Sequence, residues 1–278
     1  MNVILLNDEI ISKENASINI EDRGYQFGDG VYEVIRIYNG NFFELEGHYD
    51  RLKRSASEIH IDLPFDRATF QTKVNELRST NNVENGHLYM QVSRGIAPRN
   101  HPFPAKSEPV LVAYTTEYAT NDTPPPGRAM FTEDIRWLRC DIKSLNLLGN
   151  VLAKEESKKQ GYDEAIFHRG ETVTEGSSTN VFMVKDQTLY THPANNYILD
   201  GITRRTILDA AKGAGITIVE EPFTKTQLLE SDEVFISSTT QEVRPIIEVS
   251  GNTIGTGRMG DVTAILQKEF KKRLPNNK

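Results

Sequence analysis

Lys143 sits in the stretch Arg139-Cys140-Asp141-Ile142-Lys143-Ser144-Leu145-Asn146, among apolar and small residues just ahead of a helical pattern. An amine in a partly desolvated setting is a nucleophile able to form a Schiff base with an aldehyde or ketone. Most lysines are solvated surface charges, so the reading needs partners elsewhere in the chain. One acid, Glu175, lies beside a glycine among small hydroxylated residues in Thr174-Glu175-Gly176-Ser177-Ser178-Thr179-Asn180. If buried, its carboxylate requires a cationic or protonated partner; if exposed, it is a turn residue. Gly201-Ile202-Thr203-Arg204 places a glycine and a threonine where a helix begins. Free backbone N–H groups and a hydroxyl there can cradle a phosphate, although an ordinary helix cap has the same composition. Ser237-Ser238-Thr239-Thr240 follows an apolar strand and offers more hydroxyls, either at a ligand-facing strand end or in a plain turn. Arg99 and His101, two apart in a proline-bounded loop, can point one way and hold a carboxylate, or can be incidental surface charge.

The elements that must carry these groups read as a two-domain α+β chain. The length of 278 residues suits two medium domains better than one small core. The first domain is expected over residues 1–118. In it Tyr32 to Tyr38 is rich in β-branched residues, Asn39-Gly40 marks a hairpin turn and Asn41 to Leu45 returns as a strand. Helical spacing of Leu52, Ala56 and Ile59 predicts a helix from His48 to His60, and Phe70, Val74 and Leu77 predict another from Asp66 to Ser79. Strands follow at Leu88 to Val92 and Pro109 to Tyr114. Thr120-Asn121-Asp122-Thr123-Pro124-Pro125-Pro126-Gly127 resists helix and strand, so residues 119–127 are expected to link to a second domain over 128–278. There, strands are expected at Ala129 to Thr132, Glu164 to His168, Thr172 to Thr174, Val181 to Val184, Ile216 to Val219 and Val234 to Ser237. Helices are expected over Leu145 to Lys159, from about Thr203, and over Val262 to Phe270.

Composition excludes several classes of function. A formal charge of -7 leaves no basic footprint for nucleic acid. The single Cys140 forbids an intrachain disulfide or a multi-cysteine metal site, fits a reducing compartment, and no metal is expected. With no apolar run of about eighteen residues and no basic-then-apolar leader after Met1, no membrane span is expected and the cytoplasm is the default location.

A lysine able to form an imine, an acid able to partner a pyridine nitrogen and two phosphate-cradling turns together describe the binding needs of pyridoxal 5'-phosphate. Four segments in order carry a resemblance. They are Asp22-Arg23-Gly24-Tyr25-Gln26-Phe27-Gly28-Asp29-Gly30-Val31-Tyr32-Glu33, Leu138 to Asn146, Thr174 to Phe182, and Gly201 to Arg204. In this order they resemble the motifs of class IV (fold-type IV) pyridoxal-phosphate aminotransferases, most closely the D-amino acid aminotransferases among them. The likeness runs nearly end to end and implies a smaller N-terminal α/β domain and a larger C-terminal domain, with the cofactor between them.

The resemblance also implies roles. Lys143 is the lysine that carries the cofactor and then moves a proton at the substrate Cα. Glu175 is the partner of the pyridine nitrogen. Arg51 with Ile202, Thr203 and Thr239 forms the phosphate cup, Ser238 is a further cofactor-binding residue, Leu199 packs on the ring, and Ser178 and Thr240 line the substrate side. Arg99 and His101, with Tyr32, trap the substrate α-carboxylate, the first two entering from the neighbouring subunit of a homodimer. Branched-chain aminotransferases of the same fold generally lack this Arg-x-His loop, so the D-enantiomer is favoured. The implied reaction is a ping-pong transamination from a D-amino acid such as D-alanine to a 2-oxo acid such as 2-oxoglutarate. An L-branched-chain aminotransferase is the runner-up, followed by an aminodeoxychorismate lyase and a non-catalytic cofactor carrier. His48 and Tyr89 match family positions near the site, with touching substrate and simple packing weighed equally. For Trp137 the choice is cofactor proximity or core packing, and for Arg244 a substrate carboxylate or, preferred, a surface pair with Glu242.

Overall fold

Val31, Glu33, Ile35 and Ile37 alternate with Tyr32, Val34, Arg36 and Tyr38, a period of two that sends one set to each face of a strand. In the computed structural model, which describes residues 2–118 and 124–275, that strand is Gly30–Tyr38. The chain divides into two units. One is Met1–Asn121 with Ile142–Asn146 and Pro275–Lys278; the other is Asp122–Asp141 with Leu147–Leu274.

The first unit runs β1 (Val3–Leu6), β2 (Glu9–Ser12), α1 (Arg23–Phe27), β3 (Gly30–Tyr38), β4 (Asn41–Phe42), α2 (Leu45–Glu58), α3 (Arg67–Asn81), β5 (Gly86–Ser93) and β6 (Val110–Glu117). Its six strands form one antiparallel sheet in the order β2-β1-β6-β5-β3-β4. Leu52 and Ala56 of α2 and Phe70, Val74 and Leu77 of α3 bury their apolar stripes against Val31, Ile35, Leu88 and Met90 of the sheet. Both helices and the Asn39-Gly40 hairpin stand where expected, but the return strand has only two residues because α2 already begins at Leu45. The four-residue strands β1 and β2 are too short for alternation to reveal, and they have no counterpart in the sequence reading.

Within the expected connector at 119–127, residues 119–123 lie outside the described residues. Pro124 to Pro126 have no regular structure and Gly127 already opens a strand. The second unit contains β7 (Gly127–Glu133), α4 (Leu148–Lys159), β8 (Glu164–Arg169), β9 (Thr172–Gly176), β10 (Asn180–Lys185), β11 (Thr188–Thr191), α5 (Ile202–Gly213), β12 (Ile218–Glu220), α6 (Lys225–Leu229), β13 (Glu233–Ser238), β14 (Glu242–Val249), β15 (Asn252–Thr253) and α7 (Asp261–Lys271). Its sheet has the order β12-β11-β10-β13-β14-β7-β8-β9, with β15 on β14, and pairs strands both parallel and antiparallel. Ile166, Val173, Val181, Val234, Ile236 and Ile246 form its core.

Two departures from expectation have local causes. α4 starts at Leu148 instead of Leu145, since Ile142–Asn146 belongs to the first unit and runs beside β3. β14 went unread because Pro245 argues against an interior strand. The structure accommodates it by starting the pairing with β7 at Ile246, just beyond the proline.

Candidate active site

Each unit positions its own share of the candidate residues. In the first, the backbone of Lys143 is fixed on both sides: its N–H donates to Ser55 Oγ (3.2 Å) and its carbonyl accepts from Tyr32 N–H (3.0 Å). Leu145 N–H donates to Gly30 carbonyl at 3.0 Å. This close approach demands glycine at position 30, where a Cβ would stand 2.6 Å from Val92 carbonyl oxygen and 2.8 Å from the Leu145 side chain. Ile142 is buried in the core, while the half-buried Lys143 side chain rests its Nζ 4.1 Å from the Tyr32 ring centroid. Tyr32 stacks on Tyr89 (5.9 Å), and Tyr89 on Tyr114 (5.1 Å). Burial pushes the Tyr89 phenol up to about 12, and its O–H donates to Gln91 Oε1 (2.9 Å). Tyr89 is therefore packed against a predicted substrate-binding residue.

Arg51 forms a fork with Glu33, Nε to Oε1 at 2.7 Å and Nη2 to Oε2 at 2.8 Å, and His48 Nδ1 lies 2.7 Å from the same Oε2. Burial drives the Glu33 carboxyl up, but the Arg51 guanidinium and the His48 imidazole outweigh it and hold it well below the carboxylate range. Burial likewise pulls His48 down against the attraction of Glu33, favouring a neutral imidazole. Sequence reasoning missed Glu33 as the partner that orients Arg51. The signal was present: Glu33 occupies a core-facing position of a strand, where a carboxylate needs a cation.

Arg99 and His101 are exposed, and both lie against Phe27 of α1, at 4.9 Å and 5.7 Å from its ring centre. The structure places both side chains against this one ring.

In the second unit Glu175 is buried near the end of β9, and both of its carboxylate oxygens accept hydrogen bonds. Arg136 Nη1 donates to Oε1 (2.7 Å), Leu199 N–H donates to Oε2 (3.0 Å) and Asn180 Nδ2 reaches the same oxygen at 3.3 Å. Burial pushes the Glu175 carboxyl upward while Arg136 draws it down, and the net direction is up. A carboxylate with raised proton affinity suits a partner that brings its own proton. Arg136 was not singled out from sequence. It is held by Asp134 through Nε (2.9 Å) and Nη2 (3.0 Å), so the guanidinium meets Glu175 in one orientation.

Asn180 also donates to Leu199 carbonyl (2.7 Å), which ties Leu199 to the Glu175 loop. A Cβ on Gly201 would stand 2.2 Å from Asn180 Oδ1, so only glycine lets α5 begin this close. No side chain caps α5 at Gly201, leaving the first-turn N–H groups of Ile202 and Thr203 available to an anion. Ser238 Oγ lies 3.4 Å from Thr240 Oγ1 and accepts from Gln241 N–H (3.1 Å) in the turn that contains Thr239. Ser178 is exposed, with its hydroxyl 3.4 Å from Glu164 Oε2. Within the second unit, the buried Glu175 carboxylate suits a ring nitrogen and the uncapped start of α5 suits a phosphate.

Two minor expectations change. Arg244 pairs with Asp163 (2.9 Å) and bonds Pro125 carbonyl (2.8 Å) and Gln241, rather than pairing with Glu242, because Glu242 is buried at the start of β14 with φ 51°. Trp137 is 44% exposed, which removes core packing as its role. Cys140 is buried, its Sγ donates to Trp137 carbonyl, and burial pushes its thiol up to about 11.

Comparison with known proteins adds a second line of observation. The amino-transferase class IV family matches residues 30–249. A curated D-alanine aminotransferase of Staphylococcus haemolyticus is 49% identical over 275 residues, covering 98% of this chain and 98% of the relative. Among solved structures, the branched-chain amino acid aminotransferase of Escherichia coli superposes with a TM-score of 0.92 at 26% identity, over 98% of this chain and 94% of that one. The branched-chain aminotransferase of the archaeon Thermoproteus uzoniensis, solved with norvaline, gives 0.88 at 27% identity, over 98% of this chain and 94% of that one.

Proposed function

Since the chain belongs to the class IV aminotransferases, we propose that it transfers the amino group of a D-amino acid such as D-alanine to a 2-oxo acid such as 2-oxoglutarate, with pyridoxal 5'-phosphate as cofactor. The observation that carries the choice of hand is that Arg99 and His101, two donors of the kind that hold a carboxylate, both adjoin the Phe27 ring. Identity of 49% to a D-alanine aminotransferase along nearly the whole chain supports it.

When bound, the cofactor supplies an aldehyde for the amino group and a protonated ring that withdraws electrons from the substrate Cα. Lys143 carries it, and the released amine then takes the proton from that Cα. Glu175, oriented by Arg136, keeps the ring nitrogen protonated. Arg51, Ile202, Thr203 and Thr239 hold the phosphate, Ser238 is a further cofactor-binding residue, Leu199 supports the ring, and Tyr32, Ser178 and Thr240 line the substrate side.

The active form is a homodimer in which Arg99 and His101 serve the neighbouring subunit. Exposed apolar side chains support an assembly: Leu148, Val151 and Leu152 share one face of α4, and Ile20, Tyr25, Ile96 and Phe103 are exposed in the first unit. Among the described residues no helix is long and apolar enough to cross a membrane, and we assign the enzyme to the cytoplasm.

The second reading, an L-branched-chain aminotransferase, draws on the TM-score of 0.92 to such an enzyme. Rates of amino transfer from D-alanine and from L-leucine to 2-oxoglutarate separate the two. D-alanine is the expected donor, and transfer from L-leucine alone overturns the choice. Arg99→Ala removes charge-assisted hydrogen bonds of roughly 1.5–3 kcal/mol, so the KM of every D-substrate should rise about 10- to 100-fold. A response confined to one side-chain class would instead place Arg99 on the side chain and not on the shared carboxylate.

A further inference from the structure

The loop that carries Arg99 and His101 has little regular structure of its own, yet its backbone is anchored by buried charge. Arg23, the first residue of α1, donates through Nη1 to Asn100 carbonyl (2.6 Å) and through Nη2 to His101 carbonyl (3.3 Å). Its guanidinium also lies 4.8 Å from the Phe27 ring centroid, the same ring that Arg99 and His101 adjoin. The far end of the loop is held by Arg94, which stacks on Phe103 at 3.6 Å and donates to Ile59 carbonyl (2.6 Å) and His60 carbonyl (2.9 Å). Both arginines are buried, and both converge on Asp29. Arg23 Nε and Arg94 Nε each donate to Oδ2 at 2.8 Å, and Arg94 Nη2 donates to Oδ1 at 2.9 Å.

One carboxylate therefore fixes two guanidinium planes, and those planes fix both ends of the loop. We propose that Asp29 is the positioning residue of the substrate-carboxylate site: through Arg23 and Arg94 it sets where Arg99 and His101 stand. The Asp29 carboxylate accepts from Arg23 and Arg94, and its proposed part is to act through them. The inference rests on the reading of Arg99 and His101 as the carboxylate trap. Guanidinium forks are directional and the loop carbonyls have no strand partners, so loss of the central acceptor shifts the trap without removing it. Displacements of about 1 Å at such sites reduce rates by up to about 10²-fold.

Asp29→Asn puts an amide where three N–H donors converge. In the holoenzyme, the KM for D-alanine and the KM for 2-oxoglutarate should both rise about tenfold, with kcat less affected and cofactor affinity and absorbance unchanged. A purely structural role predicts something different, loss of cofactor retention in step with the KM change. The deciding comparison is a double-mutant cycle. In a chain already carrying Arg99→Ala and His101→Ala, Asp29→Asn should change KM by no more than about twofold, whereas an undiminished tenfold effect there overturns the proposal. Should Asp29→Asn fail to accumulate as folded protein, Arg23→Lys tests the same device. It keeps a charge for Asp29 but loses the fork to the Asn100 and His101 carbonyls, and the same rise in KM is expected. Arg99→Ala raising KM while neither Asp29→Asn nor Arg23→Lys does so contradicts the positioning role alone. No response to Arg99→Ala overturns the carboxylate trap and the proposal with it.

Discussion

Lys143→Ala should abolish steady-state transamination while leaving a folded protein. The lysine has two tasks in the proposed reaction, anchoring the cofactor and moving the Cα proton. General acid–base catalysis alone contributes about 10²- to 10⁴-fold, so turnover is expected to fall by at least roughly 10⁴-fold. Folding should survive because what fixes this segment is backbone. The bonds from Lys143 N–H to Ser55 Oγ and from Tyr32 N–H to Lys143 carbonyl do not involve the side chain. The side-chain contact that is lost, the amine over the Tyr32 ring, is of a kind that contributes about 0.5–2 kcal/mol. Thermal unfolding of the variant and its initial rate with D-alanine check both halves. An unchanged rate removes the lysine from the mechanism.

Glu175→Gln should lower kcat by about 10²- to 10³-fold, the usual effect of deleting a preorganised electrostatic partner. Its carboxylate accepts on both sides, from Arg136 at Oε1 and from Leu199 N–H at Oε2. An amide has one acceptor oxygen, so whichever way it turns, its NH2 meets another donor. Breaking a buried ion pair usually costs about 3–5 kcal/mol. The cost here should be smaller, about 1–3 kcal/mol, because Arg136 keeps its two bonds to Asp134. Denaturant unfolding measures the stability loss and steady-state kinetics the rate. A chain with the stability loss but full kcat would confine Glu175 to a structural role.

Local features of this chain were readable because local chemistry decides them. Leu52 and Ala56, Phe70 and Val74 repeat at helical spacing, and α2 and α3 follow. Asn39-Gly40 dictated its turn, with positive φ at both residues. Motif residues such as Lys143 and Glu175 stood out as types out of keeping with their neighbours. What escaped depended on distant partners. Arg136 and Glu175 are 39 residues apart and Arg94 and Asp29 are 65 apart, and no spacing rule joins them before the chain is folded. Likewise nothing in Ile142–Asn146 announces that it runs beside β3 in the first unit, because that placement is decided by Gly30 and by the backbone bonds it permits. β14 shows a tertiary override of a local rule, with Pro245 tolerated inside the sheet.

The proposed cofactor and the proposed hand of substrate can be tested together by one absorbance titration of the purified protein loaded with pyridoxal 5'-phosphate. Absorbance near the visible edge should bleach on addition of D-alanine and stay unchanged with L-leucine. Bleaching by L-leucine but not by D-alanine, or no such absorbance at all, would contradict D-amino acid transamination at Lys143.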